Sequence, residues 1–338
     1  MIKIKLYELD KHRNECTFRP FLYAKESFKQ IGIEFVIDGK ADFAFVAQAS
    51  FINKKVSLDE SVQFGLDFLK TTVKEPYFLI DGQDSTSLIG SYEVFKQSNA
   101  LLLLKCSLLK DRSLYNKGLN LGRYYWGSGD YKIECSNKIV LSGTNWLMTH
   151  WCGLNVQWQN IDKQYDISAM FQYPSKTTLY EHGYNQSIHY DNHRKPVIDI
   201  LNQLPYNITK LNNGERVDIN EYYRRLASSK IIIAPFGYGE MAPRDLEAAM
   251  FGCILIKPDM SYIDTIPNAF DDGITYIACK HDYSDLQEKI DLILNNYEYY
   301  KNTIIDNARK RFIKIMNPDN LVIHIYDIFK NLDGVEHE

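Results

Sequence analysis

The sequence has no long apolar run. No stretch of its 338 residues approaches the roughly 20 consecutive apolar residues that span a bilayer. The most apolar window, residues 100–104, is bounded by Asn99 and Lys105 and is typical of a buried strand. Residues 1–7 alternate apolar and charged side chains, which predicts a β-strand and not a signal peptide. These features predict a cytoplasmic protein and leave peripheral association with a membrane open.

Paired cysteines and a strong charge of one sign are also lacking. Six cysteines are scattered without a Cys-x-x-Cys pair, which argues against a zinc site and a disulfide framework and favours buried thiols in a reducing compartment. The net charge is -4, from 39 basic and 43 acidic residues, so nothing electrostatic indicates a nucleic-acid partner. A local basic pocket for a few phosphates is compatible with this total charge.

The length of the chain predicts two domains of roughly 150 residues each. In the first half, strands alternate with helices, which predicts an α/β fold with a mostly parallel sheet and ligands at the carboxyl ends of its strands. The predicted strands are 2–7, 33–37, 43–46, 77–80 and 100–104, with helices at 21–31 and 59–72. Residues 110–160 are rich in Gly, Tyr, Trp and Asn, and we predict long loops and a domain connection there. The four tryptophans in this stretch either face a sugar or pack between domains.

A second alternating pattern begins near Tyr165. The expected strands are 166–171, 230–234, 253–256 and 275–278, and the expected helices are 193–204, 219–227, 243–251, 284–296 and 297–315. Pro318 interrupts the pattern before a last helix at 321–332. We therefore expect domains at 1–160 and 161–316, followed by a separate carboxyl-terminal helix at 317–338.

The segment 229–258 has the features of a phosphate site. A continuous apolar strand leads into the loop Pro235-Phe-Gly237-Tyr238-Gly239, whose glycines let main-chain N–H groups approach a ligand. Pro243 suits the first turn of the helix that follows. A helix amino terminus offers free N–H donors and a favourable dipole to a diphosphate.

Two charged residues of this helix extend the prediction. Arg244 lies in the first turn, where a cation opposes the helix dipole, so it indicates an anionic partner. Glu247 is on the same helical face and can accept hydrogen bonds from two ribose hydroxyls. The alternative is a β-α-β crossover in which Arg244 and Glu247 form a structural ion pair.

These residues carry a resemblance to a known family. Ser229-Lys230, Pro235, Gly237-Tyr238-Gly239, Arg244, Glu247-Ala248 and Gly252-Cys-Ile254 resemble the donor-site signature of exostosin-like glycosyltransferases, members of the GT-B superfamily. In related GT-B signatures two glutamates contact the donor sugar and the ribose. Glu240 and Glu247 occupy those places, one residue closer together than is usual.

The resemblance covers roughly residues 165–260, and it implies more than the residues alone do. It implies two Rossmann-like domains facing a cleft, with the nucleotide on the carboxyl-terminal domain and the acceptor on the amino-terminal one. It also implies a last helix that returns to the amino-terminal domain, and no bound metal or other cofactor.

Further basic residues are candidates for the diphosphate. His193 and Arg194 stand at the start of the helix predicted after the first strand of the second domain, where they either reach the pyrophosphate or belong to a solvated turn. Lys176 is a second candidate.

Candidate catalytic residues lie in the first half. Asp81 and Asp84 follow the strand 77–80 and either act as the general base that takes the proton of an acceptor hydroxyl or cap main-chain N–H groups of a turn. His150 is a further candidate base, although a lone histidine is more often structural. On the acceptor side, Lys105 follows the strand 100–104, and Asp10 and Arg13 follow the first strand.

The sequence thus predicts a metal-independent glycosyltransferase of polysaccharide biosynthesis. Its expected partners are a nucleotide-diphosphate sugar and a glycan or lipid-linked saccharide acceptor. Two alternatives stay open, a nucleotide-sugar epimerase of the same fold and a non-catalytic protein that binds a glycan or nucleotide.

Overall fold

Two parallel β-sheets, each flanked by helices, form the frame of the molecule. The computed structural model of the chain describes residues 1–7, 11–48, 51, 56–88, 90–117, 136–151, 161–173, 186–211, 215–237 and 239–332. Strands alternate with helices in both halves, as the sequence predicts. Among the described helices, none is both long and apolar enough to cross a membrane.

The first sheet has six parallel strands in the order β2-β1-β3-β4-β5-β7. Their bounds are β1 Ile2–Tyr7, β2 Ile33–Val36, β3 Phe43–Ala47, β4 Tyr77–Asp81, β5 Leu103–Lys105 and β7 Ile139–Leu141. The central strands are continuous apolar runs because helices cover both faces of the sheet. Asp81 and Lys105, at the carboxyl ends of β4 and β5, lie opposite each other in register.

Helices of the first half pack aromatic side chains against this sheet. Phe21 and Phe28 are fully buried, and Phe21 contacts Phe45 of β3 with ring centroids 5.2 Å apart. A capping box begins the third helix, because the Ser57 hydroxyl accepts the Glu60 N–H and the Glu60 carboxylate accepts the Ser57 N–H. The helices are α1 Lys11–Tyr23, α2 Lys25–Gln30, α3 Leu58–Thr72, α4 Ser91–Lys96 and α5 Trp146–Trp151.

The second sheet has five parallel strands in the order β13-β11-β10-β8-β9. They are β8 Tyr165–Ala169, β9 Ile208–Lys210, β10 Ser229–Ile233, β11 Ile254–Pro258 and β13 Ile277–Cys279. The three isoleucines 231–233 of the central strand β10 are fully buried, since each face of the sheet packs against helices.

Six helices belong to the second half. Their bounds are α6 Gln186–Leu201, α7 Ile219–Ala227, α8 Pro243–Met250, α9 Leu286–Asn295, α10 Tyr297–Tyr300 and α11 Asp306–Met316. A π-helical turn, Lys301–Ile305, joins α10 to α11. Asp218 caps α7 by accepting the N–H groups of Asn220 and Glu221, and Pro243 occupies the first turn of α8 as predicted.

Two parts of the stretch 110–160, residues 110–117 and 136–151, lie within the described residues. In these parts the prediction of long loops is wrong, since they contain strand β7, helix α5 and the 3-10 turns Arg112–Lys117 and Ser136–Lys138. Strand β7 pairs with β5 at the edge of the first sheet. A strand of three residues is too short to show a period of two, which explains the error.

The chain ends with α12, Pro318–Lys330, which returns to the first sheet. Phe329 contacts Phe43 and Phe78 of that sheet, with ring centroids 5.2 Å apart in both pairs. His324 Nε2 lies 2.8 Å from the Leu141 carbonyl oxygen. This confirms the returning helix, which begins at Pro318, earlier than the predicted residue 321.

The two halves are also joined by main-chain hydrogen bonds. Strand β6, Ser107–Leu109, follows the first sheet and pairs antiparallel with β12, Ile263–Thr265, of the second half. Beside this pair, the side-chain amide of Asn145 donates to the Pro267 carbonyl oxygen at 3.0 Å. We call the β6–β12 pair the strand clamp.

Cys106, Cys253 and Cys279 are buried free thiols. Burial in turn raises the pKa of the Cys106 thiol to about 11, so it stays protonated at neutral pH.

Candidate functional site

Loops at the carboxyl ends of the two sheets contact each other. Residues 82–88 follow β4, and residues 234–242 follow β10. The Thr86 N–H and hydroxyl donate to the two carboxylate oxygens of Glu240, at 3.0 and 2.7 Å. The Met241 N–H donates to the Asp84 carbonyl oxygen at 3.3 Å. We call the first segment the Asp84 loop and the second the donor loop.

Arg194 lies between the ends of β8 and β10. Its Nη1 donates to the Gln172 carbonyl oxygen at 2.8 Å, and its guanidinium carbon lies 5.5 Å from the centre of the Phe171 ring. Arg194 is buried, and its Nη2 lies next to Gly237 of the donor loop. The neighbouring His193 is also buried and packs against the Phe236 ring. The helix α6 therefore directs a buried cation at the donor loop.

Arg244 and Glu247 lie on α8, on the other side of the donor loop. Arg244 Nη1 is 3.5 Å from the Met170 carbonyl oxygen, at the end of β8. Glu247 is buried and accepts a hydrogen bond of 2.7 Å from the Tyr222 hydroxyl. Burial raises the pKa of Glu247 to about 7, although the Tyr222 hydrogen bond and the Arg244 charge oppose this shift. The Glu247 carboxyl group is thus buried beside the positively charged Arg244.

A buried ion pair between Lys257 and Asp245 holds the donor loop in place. Lys257 Nζ, at the end of β11, is 2.5 Å from Asp245 Oδ2 and donates to the Glu240 carbonyl oxygen at 2.8 Å. The same Asp245 oxygen accepts the Ala242 N–H at the start of α8. Burial lowers the pKa of Lys257, and Asp245 opposes that shift. One lysine therefore holds both the loop and the first turn of the helix.

A second buried ion pair lies on the side of the first sheet. Lys105 Nζ is 3.0 Å from Asp81 Oδ2, and both side chains are at most 1% exposed. The other Asp81 oxygen accepts the Gln83 N–H at the start of the Asp84 loop. The pair supports this loop from behind, much as Lys257 and Asp245 support the donor loop.

Asp84 lies directly against Gly239 of the donor loop. A Cβ atom on Gly239 would lie 2.5 Å from the Asp84 Cγ, so only glycine allows the two loops to meet here. Asp84 is partly buried, and desolvation of its carboxyl group, followed by the charge of Glu240, raises its pKa to about 7. Asp84 therefore titrates near neutral pH.

The structure brings most of the candidate residues together. Pro235, Gly237, Gly239 and Glu240 belong to the donor loop, and Asp84 faces it. Arg194, Arg244 and Glu247 lie on the two helices that flank this loop. Within the loop, the Gly237 N–H donates to the Gly239 carbonyl oxygen. Asp10, Lys176 and Tyr238 lie outside the described residues. Arg13 and His150 fall within α1 and α5, but their side chains are not described.

Three contributors were missed from the sequence: Thr86, Tyr222 and the Lys257–Asp245 pair. A signal for the lysine existed, because Lys257 directly follows the predicted apolar strand 253–256 just as Lys105 follows the predicted strand 100–104. Nothing local marks Thr86 or Tyr222, whose partners lie elsewhere in the sequence. Among the described residues, no group of three or more His, Cys, Asp or Glu side chains is placed to hold a metal ion.

Comparison with known proteins gives structural matches only. No protein-family profile matches the chain, and a search of curated proteins finds no similar sequence. A sucrose-phosphate synthase from Thermosynechococcus elongatus matches with a TM-score of 0.54 at 10% identity, over 99% of this chain and 100% of that one. HepE of Anabaena, solved with UDP-glucose, gives 0.49 at 10% identity, over 98% and 100%. MnaA of S. aureus, solved with UDP, gives 0.47 at 10% identity, over 100% and 99%.

At such low identity the match to the synthase shows the fold alone. The chain has an α/β fold of the GT-B type, with two parallel sheets whose loops at the carboxyl strand ends contact each other, as the sequence analysis predicts.

Proposed function

We propose that the protein is a glycosyltransferase that moves a sugar from a nucleotide-diphosphate sugar to a glycan or lipid-linked saccharide acceptor. One observation carries the proposal. Two arginines and a helix amino terminus meet at the carboxyl ends of the second sheet, directly opposite a carboxylate of the first. Cations on one side suit a leaving diphosphate, and a carboxylate on the other suits proton removal.

The donor is assigned to the second half. Arg194 and Arg244 have their guanidinium groups oriented by main-chain carbonyl oxygens, so both are already in place before an anion arrives. The first turn of α8 adds its dipole to the attraction for phosphate. Glu247, oriented by Tyr222, is assigned to the ribose hydroxyls.

The general base is assigned to Asp84. In the proposed single displacement, the acceptor oxygen bonds to the anomeric carbon, the bond from that carbon to the diphosphate breaks, and the hydroxyl proton passes to Asp84. A base whose pKa is about 7 is well matched to this task at neutral pH. Asp81 is a poorer candidate because its carboxylate is buried against Lys105. The reaction as proposed uses no resident metal or cofactor.

The experiment that tests the function follows diphosphate release. Purified protein is incubated with a panel of nucleotide sugars, with and without glycan and lipid-linked acceptors. We expect slow release alone and faster release with an acceptor. Interconversion of donor sugars would replace the proposal with an epimerase, and binding without turnover in any pairing would leave a non-catalytic binding protein.

The donor assignment predicts losses of nucleotide affinity. Arg244→Ala and Glu247→Ala should each weaken binding of the nucleoside diphosphate about 10-fold or more, because each removes a charged hydrogen-bonding partner. Calorimetric titration measures the affinity, and circular dichroism checks that the variants fold. Arg224→Ala is the matched control, since Arg224 pairs on the surface with Glu221 of α7. Normal binding by either site variant would contradict the assigned donor site.

A further inference from the structure

Both carboxylate oxygens of Glu240 accept hydrogen bonds from the opposite half of the molecule. Glu240 is 1% exposed, and Thr86 uses both of its oxygens, one through the main-chain N–H and one through the hydroxyl. Two hydrogen bonds to an ionised acceptor are among the stronger polar contacts in proteins. A side chain held in this way connects the two loops and has little freedom to turn toward a sugar.

Other contacts hold the main chain on both sides of this link. Lys257 donates to the Glu240 carbonyl oxygen, and the Tyr115 hydroxyl donates to the Thr86 carbonyl oxygen, at 2.8 and 2.7 Å. The Met241 N–H is bonded to the Asp84 carbonyl oxygen. Asp84 therefore stands on a segment whose position is fixed by the donor loop.

The charges around Asp84 come from three elements. Glu240 of the donor loop and Asp81 at the end of β4 raise its pKa, and Lys105 at the end of β5 lowers it. Desolvation is the largest cause, and Glu240 contributes the most among these charges. The contact between the loops thus supplies both the partial burial and the negative neighbour.

We propose that Glu240 is a positioning residue that joins the Asp84 loop to the donor loop through Thr86 and places its negative charge beside Asp84. The proposal rests on the proposed function, in which Asp84 accepts the proton of the acceptor hydroxyl. It assigns Glu240 a different task from the donor-sugar contact that the resemblance implies.

The test is the pH profile of kcat/KM for wild type and Glu240→Gln. Glutamine keeps the shape and can still accept the Thr86 N–H and donate to its hydroxyl, so only the charge is lost. In wild type, activity should rise with pH through about 7, as Asp84 loses its proton. In the variant this midpoint should fall by about one unit, with KM for the nucleotide sugar within about 2-fold. A large rise in KM at an unchanged midpoint would overturn the proposal in favour of a sugar contact.

Two further variants distinguish the effect of the Glu240 charge from the effect of the hydrogen bonds that join the two loops. Thr86→Val removes the hydroxyl donor but keeps the Glu240 charge. The midpoint of its pH profile should therefore not fall as that of Glu240→Gln does. Its kcat should drop, because one of the hydrogen bonds that join the two loops is lost. Glu298→Gln removes a charge from an exposed side chain and should change neither quantity. Equal downward shifts in Thr86→Val and Glu240→Gln would contradict the role of the charge.

A second measurement distinguishes failure of this proposal from failure of the proposed function. Carboxyl NMR follows the titration of Asp84, assigned with Asp84→Asn, in wild type and in Glu240→Gln. A lower Asp84 pKa in the variant supports the coupling even if no sugar transfer is found. An unchanged Asp84 pKa in Glu240→Gln would overturn the proposed coupling, whether or not sugar transfer is found.

Discussion

Two lysines near the carboxyl ends of buried strands form buried ion pairs that restrict the position of the loops beside them. Lys105 is the last residue of β5 and pairs with Asp81, and Lys257 is the last but one of β11 and pairs with Asp245. A buried charge is costly without a partner, so each lysine strongly restricts where its loop can lie. The two pairs stand behind the two loops that meet at the candidate site.

Lys257→Met tests the importance of such a pair. The substitution leaves Asp245 buried without its counter-ion, and we expect a loss of about 3–5 kcal/mol in the free energy of unfolding. Urea denaturation at constant pH measures it. Lys301→Met is the control, because its pair with Glu298 is exposed and should contribute at most about 1 kcal/mol. Equal stability of the two variants would show that the buried pair is dispensable.

At this scale the sequence predicts a residue well when its signal is local. Arg244 and Glu247 follow a glycine loop and a proline within one short segment, so the pattern is visible in the sequence. The contact of Glu240 with Thr86 joins residues 154 positions apart. Such a partner depends on how the two sheets face each other, which no local pattern contains.

At the scale of elements, α12 shows how the second half is attached to the first. It follows the last helix of the second half and covers the first sheet with Phe329, which contacts Phe43, Phe45 and Phe78. The helix therefore seals the apolar face of a sheet formed by residues far away in the sequence.

Phe329→Ala should lower the free energy of unfolding by about 1–3 kcal/mol, because it removes a partly buried ring that packs against three phenylalanine rings. Thermal and urea denaturation provide the measurement. The control on the same helix is Tyr326→Ala, whose ring is 48% exposed and whose loss should cost at most about 0.5 kcal/mol. A cost for Phe329→Ala as small as that of the control would mean that α12 contributes little to the first sheet.

Elements with a clear apolar period are predictable from this sequence, but length alone does not suffice, since the 16-residue helix α6 begins at Gln186 and not at the predicted residue 193. Strand β1, helix α3 and helix α7 are found within one residue of their predicted bounds, because each has a clear apolar period. The three-residue strands β7, β9 and β12 were missed. Their pairing depends on the neighbouring strand, and three residues carry too little pattern of their own.

At the scale of the whole molecule, the connections between the two halves include the strand clamp, helix α12 and the link between Glu240 and Thr86. Main-chain pairing between the halves resists a hinge more strongly than side-chain packing does, since opening would leave N–H and carbonyl groups unpaired. The site is therefore assembled before a ligand arrives.

This predicts a small conformational response to nucleotide. On saturation with the nucleoside diphosphate that binds in the calorimetric titration, the radius of gyration measured by small-angle X-ray scattering should change by less than about 1 Å, as is usual for pre-organised complexes. Apo protein at the same concentration and ionic strength is the control. A contraction of several ångströms would show that the halves close as rigid bodies and that the strand clamp opens in solution.

The strand clamp also has a consequence for synthesis of the chain. Nearly half of the sequence separates β6 from β12, so the pairing has a high contact order and forms late in folding. While the ribosome is still making the second half, β6 lacks its partner strand and presents an open edge. We expect the nascent first half to depend on chaperones until residue 265 has emerged, although its six-stranded sheet lies entirely within the first 141 residues.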